Sequence, residues 1–314
     1  MRMTENADGL FLARASKMGA LAVLAALGLC LVTGRPAAAA EVVDLVGRRV
    51  AVPDHPRRVV SLAPSLTEMV FALGAGDRLA GVSRYSDYPP RAAELPKVGS
   101  YVHPDLERIV ALKPDLCLAV KDGNPREAVE RLEALGIPVY AVNPKNLKDV
   151  MDTMTALGRV LGREQQAREI VGSMGRRIRA VEEKMAGVSG RPRVFFQIGT
   201  SPIVSVGTET FAHEIITLAG GINVAEGPDP YPRFSVEQVL GLRPEVIVIS
   251  SMDRSRIHRE IQAGWMRWQG LPAVENGRVF LVESNLFDRP TPRLVDGLEV
   301  LARLLHPEVF HGNP

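Results

Sequence analysis

Apolar positions along this chain fall into three patterns whose alternation outlines a fold. Short uninterrupted runs, such as Leu116-Cys117-Leu118-Ala119-Val120 and Val246-Ile247-Val248-Ile249, have the form of strands buried on both faces of a parallel sheet. Segments around 106–112 and 236–242 instead space their apolar residues as helices do. The third pattern runs from Leu147 to Met185 without proline, with Val150, Met154, Leu157, Leu161, Ala167, Ile170, Val171, Met174, Ile178 and Val181 at helical spacing. Unbroken, it would span roughly 55 Å, with Gly158 and Gly162 as places for a break. A flexible hinge would be short and Gly/Ser-rich, so this stretch predicts a stiff helical connector.

The flanking segments repeat each other. Residues 106–119 read LERIVALKPDLCLA and residues 236–249 read VEQVLGLRPEVIVI. Upstream, Arg57-Arg58-Val59-Val60-Ser61-Leu62 matches Arg193-Val194-Phe195-Phe196-Gln197-Ile198. In each copy a polar residue, Asp105 or Ser235, precedes the helix, and a basic-Pro pair ends it, because a residue before proline is pushed out of the α region. The expected class is therefore α/β, with two similar open-sheet lobes joined by a long rigid helix. The expected bounds are 1–40 for an export segment, 41–145 for the first lobe, 146–187 for the connecting helical backbone and 188–314 for the second lobe. Open sheets of this kind bind ligands beyond the carboxyl ends of their strands.

The first 40 residues are read as a signal peptide. Arg14 and Lys17 precede an apolar run from Met18 to Val32, and Ala38-Ala39-Ala40 offers a cleavage site before Glu41. The run is short for a membrane span, which needs about 20 apolar residues, so a periplasmic location with cleavage after Ala40 is expected. Beyond that segment only Cys117 remains, in an apolar run that predicts a buried, inert thiol. The whole chain carries 38 basic and 36 acidic residues, which excludes the basic stripe of a nucleic-acid binder. Phosphate loops, Gly-x-Ser-x-Gly elbows and His-Glu-x-x-His are absent from the sequence, so no catalytic residue, resident metal or cofactor is expected, and the protein is not read as an enzyme.

Candidate residues cluster in the loops. Glu107 and Glu237 each sit in the first turn of a repeated helix, where the dipole alone would stabilise an acid by about 0.3–1 kcal/mol. Their recurrence in both copies makes them a pair related by a pseudo-two-fold, suited to a symmetric partner with arginine pockets. Tyr101 and Tyr231 each lie four residues before a helix cap, one at the lip of each lobe, where two rings could grip a flat ligand. Tyr85 and Tyr88 lie in the Ser83–Pro90 loop, while Asn285, Phe287, Asp288, Arg289 and Arg293 follow a predicted strand, Val279 to Val282. His103 completes the polar set. Ser65-Leu66-Thr67-Glu68 has the form of a capping box, which would account for Glu68 locally.

Between Arg58 and His306 the chain resembles the periplasmic substrate-binding proteins of ABC importers for vitamin B12 and iron–siderophores, the class with a rigid helical backbone. The resemblance rests on Ser86-Asp87-Tyr88-Pro89-Pro90, Leu106 to Leu116, Gly123-Asn124, Val236-Glu237-Gln238-Val239-Leu240 and Phe287 to Arg293, and its corrinoid-binding members are nearest. It implies that Glu107 and Glu237 dock on two permease subunits. It also implies that Tyr85, Tyr101, His103, Tyr231, Asn285, Phe287 and Arg289 surround the transported ligand, with the chain acting as a monomer. Tryptophans stand in the cobalamin pattern where Tyr101 and Tyr231 stand here, and an aspartate where Asn285 stands. A ferric siderophore or haem remains the alternative ligand, favoured by the arginines 84, 233, 289 and 293; a metal-handling protein or enzyme using His103 is the more distant one.

Overall fold

The computed structural model describes residues 39–250 and 256–310, so all but the last two residues of the expected export signal, 1–40, lie outside the described residues. A two-stranded sheet of β1 (Ala39–Val43) and β2 (Arg49–Pro53) comes first. It is followed by β3 (Val59–Ser61), β4 (Leu79–Val82), β5 (Leu116–Val120) and β6 (Val139–Val142), a parallel sheet of order β4-β3-β5-β6. In the second lobe β7 (Arg193–Gln197) leads into a small antiparallel sheet of β8 (Gly199–Thr200), β9 (Ile203–Val204) and β11 (Arg233–Phe234). The main sheet there joins β7 with β10 (Ile222–Asn223), β12 (Val246–Ser250) and β13 (Val279–Val282) in the parallel order β10-β7-β12-β13.

The two parallel sheets have the same topology and the same register. Val59 pairs with Leu116 in the first lobe, and Val194 pairs with Val246 at the matching place in the second. The basic-Pro-acidic motif has a physical basis in this pairing. After the helices Leu106–Ala111 and Val236–Leu242, Lys113 and Arg243 turn into the left-handed region, at φ 47° and 46°. They therefore leave the α region, although not for the extended backbone usual before proline, and the conformation costs about 1–2 kcal/mol at each site. Arg58 offsets it by donating from Nη2 to the helix-end carbonyl of Leu112 at 2.6 Å, and Arg193 does the same to Leu242 at 2.8 Å. The acid after the proline closes the motif: Asp115 accepts from the backbone N–H of Arg57 and Arg58, and Glu245 from that of Arg193.

Alternate residues of each strand serve different cores. Val60, Cys117, Ala119, Val139 and Ala141 face one way in the first lobe, and Phe195, Ile247, Ile249 and Val279 do so in the second. The opposite faces, carrying Val59, Leu116, Leu118, Val194, Phe196 and Val248, join a single hydrophobic cluster with the connector residues Val150, Met154, Leu157, Met174 and Val181. The connector is two helices, Leu147–Val160 and Glu164–Ala186, broken at Gly162, whose φ is +58°. Gly158 lets them approach, since a Cβ there would lie 2.5 Å from that of Ala167. The second helix, 23 residues long, spans about 35 Å. Its Arg177 holds Glu299 at 2.8 and 2.9 Å and also Asp296, both on the helix Leu294–Leu305. Among the described residues no helix is long and apolar enough to cross a membrane.

Candidate functional site

Loops at the carboxyl ends of the parallel strands converge from both lobes. Ser83–Pro90 follows β4, Lys121–Asn124 follows β5, and Glu283–Arg293 follows β13. Buried hydroxyl groups fix the first of these loops. Thr67 Oγ1 bonds Ser61 Oγ and Ser86 Oγ, and Ser86 Oγ bonds Ser83 Oγ, each at 2.9 Å. Lys97 Nζ adds a bond to the Ser86 carbonyl at 2.8 Å. Tyr85 and Tyr88 are thereby held out from the loop, and both are exposed.

The two lip tyrosines are set by different loops, one from each lobe. Asn124 donates from Nδ2 to the carbonyls of Tyr101 and Leu62, at 2.7 and 3.1 Å, and accepts from the Val120 N–H at 2.8 Å. The Tyr101 ring lies over Gly123, where a Cβ would sit 3.4 Å from it. Gly123-Asn124 is thus the seat of the first lip. On the other side Tyr231 N donates to Asp229 at 2.9 Å in a turn, leaving the side chain 53 % exposed. Burial pushes the Tyr231 phenol above its ordinary pKa, and Asp122, Asp288 and Tyr101 push it further. Residues of both lobes therefore lie within electrostatic reach of one hydroxyl.

Asp288, whose charge also reaches the Tyr231 hydroxyl, is half-buried. Burial drives its carboxyl up to about 6, against the opposing pull of a 2.8 Å hydrogen bond from Ser250 Oγ and the charge of Arg289. Neither Asp122 nor Ser250 stood out in the sequence, since nothing local distinguishes either residue; only the fold places them beside Tyr231 and Asp288.

Arg289 and Arg293 cross to the other lobe. Arg289 Nη1 donates to Glu68 Oε1 at 2.7 Å and to Asp87 Oδ1 at 2.9 Å, while its Nη2 donates to the Tyr85 carbonyl at 3.1 Å. Arg293 reaches Glu68 Oε2 at 3.5 Å and Glu283 at 3.4 Å, and its guanidinium stacks 3.9 Å from the Tyr88 ring centre. Glu68 is 4 % exposed; burial raises its carboxyl pKa, and the two guanidinium groups pull it back. Glu68 does not belong to the capping box that its spacing from Ser65 suggests. The helix begins at Pro64 with Ala63 as N-cap and no side-chain cap bond, so Glu68 lies inside the helix and points at the opposite lobe.

The other expected ligand residues divide. Tyr85, Tyr101, Tyr231 and the exposed His103 stand at loop surfaces. Asn285 is buried, its Nδ2 3.5 Å from Glu283. Phe287 is 1 % exposed and packs on Phe196 at 5.6 Å between ring centres, inside the hydrophobic cluster. Glu107 and Glu237 both project into solvent from matching first turns. Ser235 lowers the pKa of the Glu237 carboxyl through a hydrogen bond. Among the described residues no group of three or more His, Cys, Asp or Glu is placed to hold a metal ion.

Comparison with known proteins supplies the context for this geometry. The periplasmic binding protein family matches residues 59–286. The vitamin B12-binding protein of Vibrio cholerae is 35 % identical over 258 residues, covering 81 % of this chain and 91 % of that protein. Its counterpart from Yersinia pseudotuberculosis is 34 % identical over 261 residues, covering 83 % and 90 %. Among solved structures, the periplasmic vitamin B12 binding protein of Vibrio cholerae superposes with a TM-score of 0.72 at 33 % identity, covering 82 % of this chain and 98 % of that one. A periplasmic heme binding protein from Pseudomonas aeruginosa gives 0.74 at 27 % identity, covering 80 % and 93 %. Two parallel sheets of one topology with loops converging at their carboxyl ends agree with these matches, and the chain belongs to the periplasmic binding protein family.

Proposed function

We propose that this protein captures a corrinoid between its two lobes in the periplasm and delivers it to an ABC importer, making and breaking no covalent bond. The observation that carries the reading is that Tyr101 and Tyr231, repeat-equivalent residues of opposite lobes, lie within electrostatic reach of each other. Aromatic faces at a partly apolar opening suit a planar macrocycle.

Charge separates this reading from an anionic chelate or haem. Arg289 and Arg293, two of the four arginines that would favour such ligands, are already committed to Glu68, Asp87 and Glu283. Asp122 and Asp288 add negative charge near Tyr231, which disfavours carboxylate-bearing ligands and suits an amide-rich one. The likeness to vitamin B12-binding proteins over nearly their whole length points the same way. The visible spectrum and native mass of protein purified from its own periplasm test the reading: corrinoid absorbance with matching added mass supports it, and a Soret band or a ferric chelate in its place refutes it.

Docking is proposed to use Glu107 and Glu237. Both are solvent-exposed and set on helices related by the repeat, where arginines of a two-fold partner could pair with them at once.

A further inference from the structure

We infer that Glu68 is a positioning residue: with Arg289 and Arg293 it forms a clasp between the lobes that fixes the opening of the ligand cleft. The lobes share one polypeptide connection, the helices Leu147–Val160 and Glu164–Ala186. The clasp is a second tie, and it joins the loops that carry ligand-facing groups. Arg289 holds Glu68, Asp87 and the Tyr85 carbonyl together, and it directly follows Asp288. Movement of either lip is therefore felt at both.

The chemistry makes the tie stiff. Glu68 is enclosed on a helix whose neighbours Leu66, Met69 and Val70 belong to the core, so its carboxylate has little room to follow a displaced partner. Arg289 is also largely enclosed, with 12 % of its side chain exposed. Separating such a pair leaves charge buried without compensation, which costs far more than parting an exposed ion pair. A closed cleft is thus held before ligand arrives, and opening it requires a partner that acts on both lobes together. Glu107 and Glu237, one on each lobe, are where such a partner would pull. That last link rests on the docking reading above; the clasp itself does not.

The test compares wild type with Glu68→Gln, which keeps the shape and removes the charge, and with Arg289→Gln from the other lobe. Hydrogen–deuterium exchange of the ligand-free protein reads the clasp directly. Either substitution is expected to raise amide exchange roughly tenfold in both 83–90 and 283–293 while β5 and β12 stay protected, and the double variant should add little to either single. Faster exchange confined to the mutated lobe, or spread evenly through the core, would overturn the clasp, because a packing role predicts those patterns. If the buried variants do not fold, Asp87→Asn at the exposed end of Arg289 must still loosen both loops, and no change in 283–293 would overturn the clasp. Displacement of cyanocobalamin adds a functional readout, with release expected roughly tenfold faster, equivalent to about 1.4 kcal/mol. Unchanged release beside loosened loops would overturn control of the cleft, whereas a wild type that binds no cyanocobalamin sinks the corrinoid reading and leaves the exchange result standing.

Discussion

Replacing Phe287 separates two roles that its position in the chain does not distinguish. The ring is almost completely enclosed, 5.6 Å from Phe196 between centres, in the cluster that also holds Leu294, Val295 and Leu298. Phe287→Ala empties that volume, and large-to-small changes of this kind cost about 3–5 kcal/mol. At roughly 2–4 °C per kcal/mol for a chain of this size, the melting midpoint should fall by roughly 6–20 °C. Phe287→Leu keeps most of the apolar volume and should lose less stability. It should leave cyanocobalamin affinity within about threefold of wild type, about 0.65 kcal/mol, because the ring presents no face to the cleft. Calorimetric melting and a binding titration on the same preparations measure both arms. A melting point near wild type for Phe287→Ala, together with affinity lost in Phe287→Leu, would show that the ring turns toward ligand and would refute its place in the core.

Other perturbations probe the site separately. Asp288 has a folded pKa of about 6, above its ordinary value of 3.8; the folded state thus binds the proton more tightly, and its contribution to stability falls as pH rises from about 4 to about 6. Carboxyl-selective NMR should find a midpoint near 6, and Asp288→Asn should flatten stability across that window; a midpoint near 4 would refute the burial. Gly297→Ala would put a Cβ 2.6 Å from the Leu286 carbonyl oxygen and 3.2 Å from the Phe287 ring, so it should push the Ser284–Phe287 segment aside and destabilise by about 1–3 kcal/mol, measured by urea unfolding. Glu107→Ala combined with Glu237→Ala should leave ligand affinity unchanged and abolish uptake in a transport assay; unimpaired uptake would remove the proposed docking role.

The repeat made much of the fold legible. Its basic-Pro-acidic motif occurs twice because each lobe needs the same helix-end closure, with Arg58 or Arg193 on a carbonyl and Asp115 or Glu245 on a strand N–H. The same offset relates Tyr101 to Tyr231. What local sequence could not convey was the destination of side chains whose partners are distant. Ser65-Leu66-Thr67-Glu68 has capping-box spacing, but Pro64 starts the helix earlier, and the partner of Glu68 lies 221 residues away. Phe287 follows a strand in a proline-rich segment and so reads as a loop aromatic, until Phe196 and the helix Leu294–Leu305 cover it. The opening hairpin of β1 and β2 lay outside the repeat and was not foreseen; Asp44 organises its turn by accepting from the N–H groups of Val46 and Arg48. The break in the connector falls at Gly162, one of the two glycines the sequence offered for it, because only that one takes the left-handed conformation, while Gly158 stays helical and lets the two helices approach.

Calorimetry on purified protein lacking residues 1–40 distinguishes the candidate ligands. Cyanocobalamin, haemin and a ferric hydroxamate siderophore would be titrated separately into protein freed of bound ligand. Cyanocobalamin is expected to bind saturably and one-to-one, weakened by Tyr101→Ala and by Tyr231→Ala, with no comparable affinity for the other two. Binding of haemin or the ferric chelate without binding of cyanocobalamin would contradict the corrinoid reading.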